Sequence, residues 1–232
     1  MRAYHEFAYM LTCYITDRTQ FPGSEAERQE RLLRAIAGAS AAGVDYIQLR
    51  EKDLGTHELE QLATEALRIT RFEGASRLLI NHRTDIAVAI GADGVHLTGH
   101  DVAPHDAREV AKALSGGCFI VSVACHSHED VRRAEAAGAD FALLAPIFQK
   151  PGTPSAALGL NALRDANRPA IPAGDAQEKP RSRRGFPVFA LGGVDESNVA
   201  SCVAAGATGV AGIRLFQQAD DLKALVQRLR AL

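Results

Sequence analysis

The segment 46–52, Tyr-Ile-Gln-Leu-Arg-Glu-Lys, contains the most informative polar residues in the chain. It begins as an apolar run typical of a β-strand, and side chains along a strand alternate between its two faces. Gln48, Arg50 and Lys52 therefore share one face, and the apolar residues between them share the other. If the apolar face packs against helices, the two cations converge on a site that suits a phosphate or pyrophosphate. The alternative is an internal ion pair with Glu51 or another acid.

Other polar residues follow short apolar runs in the same way. Asn81 and His82 come at the end of one run, and Asp101 comes shortly after the next. Because Mg²⁺ prefers oxygen ligands, Asp101 is a candidate metal ligand, with His82 as a second candidate. A loop or helix-capping aspartate is the alternative reading of Asp101. His96, inside the second of these runs, is predicted to be a hydrogen-bonded interior residue.

Two segments further along the chain carry candidate catalytic side chains. His126 follows an apolar run and is a candidate proton carrier, because histidine titrates near neutrality. Lys150 and Thr153 lie in a Gly/Pro-rich segment at 145–155 whose composition is typical of a lid that closes over substrate. We expect Lys150 to act there as a further phosphate ligand.

Glycines follow two apolar runs near the C-terminus. Gly192 and Gly193 come directly after one run, and Ile213 and Arg214 follow a glycine at the end of the other. Glycine lets backbone amides approach an anion, so a second phosphate site is predicted here, with tight turns alone as the alternative. Two anion sites imply two phosphorylated groups in one pocket.

A short element that recurs four times sets the rhythm of the chain. In each copy an alanine-rich stretch reaches a glycine and an apolar run follows, as expected for a helix that ends at glycine and leads into a strand. The glycines, Gly43, Gly91, Gly138 and Gly206, are separated by 48, 47 and 68 residues. Each short interval accommodates two strand–helix units, and the long one contains a predicted surface-loop insert at 167–186, rich in Pro, Gly and charge. A linker between two domains is the alternative.

Eight apolar runs predict strands, separated by amphipathic helical segments such as 25–42, 55–72 and 129–137. This alternation is typical of a parallel sheet covered by helices. Eight strands in 232 residues predict an α/β fold, a (β/α)8 TIM barrel that forms a single domain over 1–232, with an open doubly wound sheet as the alternative. The predicted strands are 10–16, 46–50, 78–81, 94–97, 120–124, 141–145, 188–191 and 209–213. In a barrel the loops after the strands form the active site, so the candidate residues share one mouth.

The composition excludes several classes of protein. Apolar residues make up 47% of the chain, charged residues 23%, and the formal net charge is −2, which fits neither disorder nor a nucleic-acid surface. No stretch suits a signal peptide or a membrane span. The four cysteines form no C-x-x-C pair and are predicted to be reduced core thiols. We expect a cytoplasmic protein that binds small phosphorylated substrates, without nucleic-acid or membrane partners; the oligomeric state stays open, a homo-oligomer included.

Together these segments resemble the thiamine phosphate synthases and their close relatives, the thiazole tautomerases. The resemblance covers nearly the whole chain outside the insert, and its main motifs are Ile15-Thr-Asp-Arg18, Gln48-Leu-Arg-Glu-Lys52, Gly91-Ala-Asp-Gly-Val-His-Leu97 and Leu191-Gly-Gly193. It implies a TIM-barrel transferase that joins hydroxymethylpyrimidine pyrophosphate to thiazole phosphate and releases pyrophosphate with the help of Mg²⁺. Alternatives are a thiazole tautomerase that uses His126 and a non-catalytic relative that binds phosphate ligands.

The resemblance also implies roles for individual residues. Arg50, Lys52 and Lys150 stabilise the departing charge, and Asp101 holds Mg²⁺. The synthases usually carry a second metal-binding aspartate directly after the asparagine, where this chain has His82. The predicted substrate-binding residues are Gln48, Asn81, Thr153, Gly192, Gly193, Ile213 and Arg214, the last of which replaces a serine of the family.

Overall fold

The computed structural model describes residues 9–74, 76–149, 156–167 and 185–232. Within these ranges eight parallel strands close into a barrel in chain order, β1 to β8. The strands are β1 Leu11–Ile15, β2 Tyr46–Leu49, β3 Arg77–Asn81, β4 Gly94–Leu97, β5 Ile120–Cys125, β6 Phe141–Leu144, β7 Val188–Leu191 and β8 Gly209–Gly212. Each begins and ends within one residue of its predicted bounds. The TIM-barrel prediction is confirmed, and the open doubly wound sheet is wrong.

Strand β1 closes the barrel by pairing on both sides. Ile15 lies opposite Gln48 of β2, and Tyr14 lies opposite Gly212 of β8. Since all neighbouring pairs are parallel, the carboxyl ends of the eight strands meet at one mouth. The polar residues that follow different strands in the sequence are thereby brought to the same end of the molecule.

Helices of the described ranges alternate with the strands and pack around the barrel. They are α1 Glu25–Ala41, α2 Thr56–Glu73, α3 Thr84–Ala89, α4 Pro104–Ser115, α5 His128–Ala136, α6 Gly159–Ala166, α7 Val199–Ala204, α8 Arg214–Gln217 and α9 Leu222–Arg230. None of them is both long and apolar enough to cross a membrane. The repeat glycines Gly43, Gly91, Gly138 and Gly206 have φ values of 86°, 69°, 85° and 98°. This left-handed backbone confirms that each repeat is a helix end leading into a strand.

Apolar side chains fill two layers. Ile47 and Leu49 of β2 are buried against the helices, as the alternation in 46–52 predicts. Inside the barrel the rings of Phe141 and Phe189 stack with centroids 4.6 Å apart, and Tyr46 lies 4.8 Å from Phe141. These rings come from the first halves of their strands, so they fill the amino-terminal end of the barrel. The carboxyl-terminal end is left for polar side chains.

Two further predictions concern the cysteines and the insert. Cys13, Cys125 and Cys202 are buried, as predicted. Cys118 is exposed, because it lies in the turn between α4 and β5 rather than in a core strand, so the prediction is wrong for it. Most of the insert, 168–184, lies outside the described residues, and the single-domain organisation with a surface insert stays a prediction.

Candidate active site

A cavity of about 670 Å³ opens at the carboxyl-terminal mouth of the barrel. Its volume lies within the range of small-molecule binding sites. Nine residues predicted for the site line it: Gln48, Arg50, Lys52, Asn81, His126, Gly192, Gly193, Ile213 and Arg214. The structure thus brings together candidates from loops after five different strands. Lys150 and Thr153 lie outside the described residues.

Arg50 and Lys52 face this cavity, and neither forms an ion pair within the described ranges. The acid between them is turned away and buried: Glu51 accepts hydrogen bonds from Thr16 Oγ1 at 2.6 Å and from Arg18 Nη1 at 3.1 Å. The Thr16 hydroxyl also accepts from the backbone amide of Arg50 at 2.9 Å. The ion pair that competed with the phosphate interpretation is therefore wrong for Glu51, whose partner is Arg18.

Arg18 fixes this loop. It lies in the motif Ile15-Thr-Asp-Arg18, but the sequence alone assigned it no role. Its side chain is 3% exposed and contacts three carboxylates, those of Glu25, Glu51 and Asp53. Burial raises the pKa of Glu51, while hydrogen bonds from Thr16 and Arg18 oppose that rise. The acids of the loop are thus engaged with Arg18. Arg50 and Lys52, which line the cavity, have no ion-pair partner in the described ranges and are accessible to a ligand.

Gln48 presents an unpaired donor to the cavity. The residue is 1% exposed, and its Nε2 has no hydrogen-bond partner among the described residues. A buried amide without a partner is costly, and such groups in native structures point to a missing partner. A ligand with a hydrogen-bond acceptor in this cavity would supply that partner.

His96 also lines the cavity, although it is only 5% exposed. Its Nδ1 lies 2.9 Å from Ser122 Oγ, so the predicted interior hydrogen bond is confirmed. Burial, followed by the charge of nearby Arg50, lowers the pKa of His96 to about 3. The imidazole is therefore neutral at physiological pH and adds polarity to the cavity without adding charge.

The ring of His126 is oriented by the backbone of the neighbouring strand. Its Nδ1 lies 2.8 Å from the carbonyl oxygen of Ala145. Since a carbonyl only accepts hydrogen bonds, Nδ1 carries the hydrogen and donates it, and Nε2 of the neutral ring is left as an acceptor. Asp130 accepts from the His126 backbone amide at 2.9 Å and fixes this turn. The arrangement suits proton transfer or hydrogen-bond acceptance at Nε2.

Two consecutive glycines follow β7 with left-handed φ values of 91° at Gly192 and 66° at Gly193. A Cβ at Gly192 would lie 2.8 Å from Pro146 Cα, and one at Gly193 would lie 2.8 Å from Phe148 Cβ. The chain therefore needs glycine at both positions for conformation and for space. This turn and the Ile213–Arg214 backbone line the cavity and suit a second anion.

The two predicted metal ligands meet at the rim beside the cavity. His82 Nδ1 lies 2.6 Å from Asp101 Oδ1, and Asp101 Oδ2 accepts hydrogen bonds from the backbone amide and hydroxyl of Thr98. Burial raises the pKa of Asp101, but the hydrogen bonds from His82 and Thr98 outweigh it and the pKa is lowered overall. The described residues contain no group of three or more His, Cys, Asp or Glu side chains that could hold a metal. A cation at Asp101 would therefore need oxygens from a bound ligand.

Sequence reasoning did not select three polar residues that line the cavity, Gln20, Thr98 and His100. They lie in the loops after β1 and β4. The rule that loops after barrel strands build the site would have pointed to these loops, but it does not select individual side chains.

The fold is a (β/α)8 barrel with a cavity at the mouth where enzymes of this fold have their active sites. A family model for thiamine monophosphate synthase matches residues 13–216, and the chain belongs to this family. A relative from Geobacter sulfurreducens is 40% identical over 219 residues, which is 94% of this chain and 92% of the relative. The thiamine-phosphate synthase of Moorella thermoacetica is 36% identical over 201 residues, 85% of this chain and 86% of the relative.

A solved structure agrees with this assignment. The thiamine phosphate pyrophosphorylase from Pyrococcus furiosus superposes with a TM-score of 0.70 at 26% identity, covering 96% of this chain and 95% of that one. The resemblance drawn from the motifs is confirmed.

Proposed function

We propose that this chain is a thiamine-phosphate synthase, a transferase that joins hydroxymethylpyrimidine pyrophosphate to thiazole phosphate. The observation that carries the proposal is the pairing of two unneutralised cations, Arg50 and Lys52, with the glycine turn after β7 in one cavity. A reaction between a pyrophosphate and a phosphate ester needs two anion sites at a short distance. Membership of the family and the names of its relatives support the same activity.

The reaction breaks the bond between the pyrimidine methylene carbon and the pyrophosphate oxygen. Both electrons of that bond leave with pyrophosphate, and the methylene carbon becomes cation-like. Arg50 and Lys52, which line the cavity, would stabilise the growing negative charge. We assign the same role to Lys150. Preorganised charges of this kind lower the barrier because they need no reorganisation during the reaction.

The thiazole nitrogen then attacks the methylene carbon and forms the new carbon–nitrogen bond. Gln48 Nε2 would donate to an acceptor on the pyrimidine, and Asn81 would bind beside it. The phosphate of the thiazole would lie at Gly192 and Gly193, with Ile213, Arg214 and Thr153 as further proposed contacts. Holding two reactants in line in one cavity supplies much of the rate.

We propose that His126 serves the reaction through Nε2, which is left as an acceptor by the hydrogen bond from Nδ1 to Ala145. It would take or share a proton of the pyrimidine substrate as charge develops at the methylene carbon. The thiazole tautomerase alternative would use the same atom, but the names of the relatives and of the solved structure favour the synthase.

We also propose a divalent cation beside the pyrophosphate, with Mg²⁺ as the ion that the family resemblance implies. Asp101 and His82 would hold it together with substrate oxygens, because the described residues offer no further carboxylate there. When bound, such an ion neutralises charge on the leaving group. We propose the cytoplasm as the place of the reaction, since its reducing conditions suit the buried thiols.

The test is product formation by the purified protein with both substrates and either Mg²⁺ or Mn²⁺. Thiamine phosphate is measured after oxidation to a fluorescent product, and pyrophosphate is measured in parallel. We expect both products in equal amounts, and a loss of about 100-fold in kcat/KM for Arg50→Gln. Arg68→Gln, on the outer face of α2, is the matched control and should keep wild-type activity. Folded wild-type protein that forms neither product with either ion would refute the proposal.

A further inference from the structure

One nitrogen–oxygen pair lies at the rim of the cavity, apart from the residues that we propose to bind anions. It consists of His82 Nδ1 and Asp101 Oδ1, which are 2.6 Å apart. The Asp101 side chain is 11% exposed and is held by Thr98 through Oδ2, whereas the His82 side chain is 58% exposed. Thr98 thus holds the carboxylate, and the exposed imidazole is accessible to an incoming ion.

The chemistry of this pair differs from that of an all-oxygen site. A hydrogen lies between the two atoms, and a divalent cation that displaces it would meet one imidazole nitrogen and one carboxylate oxygen. Imidazole suits transition-series ions such as Fe²⁺, Ni²⁺ and Zn²⁺, and the affinity of a nitrogen-containing site rises from Mn²⁺ through Co²⁺ to Ni²⁺, whereas Mg²⁺ prefers oxygen and gains little from nitrogen. With His82 as a ligand, the relative affinities of the site for divalent ions should therefore differ from those of an all-oxygen site.

The backbone conformation at residue 82 allows the histidine to be replaced by aspartate without adding backbone strain. The residue has a φ of 59°, and its amide donates to the carbonyl of His96 at 2.7 Å. Left-handed backbone of this kind is tolerated best by asparagine, aspartate and histidine among non-glycine residues. His82→Asp therefore changes the ligand atom from nitrogen to oxygen while the residue type remains compatible with the backbone.

We propose that His82 determines the metal preference of this site, so that His82 and Asp101 bind a transition-series divalent cation in preference to Mg²⁺. The remaining ligands are oxygens of the bound pyrophosphate and water. The proposal therefore rests on the proposed function for the identity of the anion that completes the site. Arg50 and Lys52, which face the neighbouring cavity, hold that anion in place.

The direct test is pulsed electron paramagnetic resonance of Mn²⁺ bound to the full chain in the presence of inorganic pyrophosphate. Wild type should show modulation from a directly bound ¹⁴N nucleus, and His82→Asp should lose it while still binding Mn²⁺. His100→Asn is the matched control, because His100 lines the cavity from the loop that also carries Asp101. The proposal is overturned if wild type binds no Mn²⁺ or shows no ¹⁴N modulation. It is also overturned if the ¹⁴N modulation persists in His82→Asp or is lost in His100→Asn.

A competition measurement tests the preference of the site for Co²⁺ over Mg²⁺. Co²⁺ and Mg²⁺ are titrated against bound Mn²⁺ in wild type and in His82→Asp, after circular dichroism has established that both are folded. We expect the preference for Co²⁺ over Mg²⁺ to fall at least about tenfold in the variant. An unchanged preference overturns the proposal. Because both measurements report binding, their failure leaves thiamine phosphate formation standing, and absence of that product would overturn the proposed function without changing the spectra.

Discussion

Replacing Gln48 by leucine should stabilise the protein and impair its activity. The buried Nε2 of Gln48 has no partner among the described residues, and an unsatisfied buried polar group costs about 1–3 kcal/mol. Leucine has a similar volume and no such group, so we expect the free energy of unfolding to rise by about 1 kcal/mol. In the substrate complex the same amide would bind the pyrimidine. Its loss should lower kcat/KM by about tenfold, which corresponds to about 1.4 kcal/mol.

Urea unfolding followed by circular dichroism measures the first effect, and initial rates of thiamine phosphate formation measure the second. Ser40→Ala is the matched control, because Ser40 Oγ in α1 is also buried without a partner in the described ranges and does not line the cavity. It should raise stability by a similar amount and leave kcat/KM unchanged. A Gln48→Leu protein that is less stable than wild type, or equally active, would refute the idea that a ligand supplies the missing partner.

Three other predictions use the same measurements. The lowered pKa of His96, about 3, means that between pH 6.5 and 3 the unfolded chain binds a proton that the folded chain does not. Stability should therefore fall by about 2 kcal/mol more in wild type than in His96→Gln between pH 7 and pH 5, and equal losses would contradict this. Gly193 has a φ of 66°, and an added Cβ would lie 2.8 Å from Phe148 Cβ, so Gly193→Ala should lower the free energy of unfolding by about 1–3 kcal/mol. Gly38 lies within α1, and an added Cβ there would meet no other atom within 4 Å, so Gly38→Ala should instead raise the free energy of unfolding by about 0.5–1 kcal/mol. Equal effects of the two substitutions would exclude strain at Gly193. Arg18→Met leaves the buried carboxylate of Glu51 without its ion-pair partner, so the free energy of unfolding measured in urea should fall by about 3–5 kcal/mol. A fall below about 1 kcal/mol would show that this charge is solvated.

The fold was predictable because its determinants are local and repeated. Each repeat glycine ends a helix by adopting a left-handed backbone, and each apolar run after it is long enough for one barrel strand. Cys118 shows where this reasoning fails. It lies close in sequence to β5, but a turn of the chain leaves it at the surface, and composition alone does not place such a turn to the residue.

The part of the site that was predictable is the part set by the alternation of side chains along a strand. The two-residue period of β2 places Gln48, Arg50 and Lys52 on the cavity side, and the structure has them there. Alternation also puts Glu51 on the other side, but it does not say what that carboxylate binds. The partner, Arg18, comes from the loop after β1 and reaches Glu51 only because β1 and β2 are neighbours in the closed barrel.

This contact affects how much positive charge the cavity presents to a ligand. If Glu51 turned toward Arg50 or Lys52, it would neutralise one of them, and a pyrophosphate would lose part of its binding energy there. Arg18 prevents this by occupying Glu51 at 3.1 Å, and Thr16 links the same carboxylate to the Arg50 amide through its hydroxyl. A residue that does not line the cavity thus keeps its two cations available for the substrate. The positive charge of the site therefore depends on a tertiary contact between two loops as well as on the motif in β2.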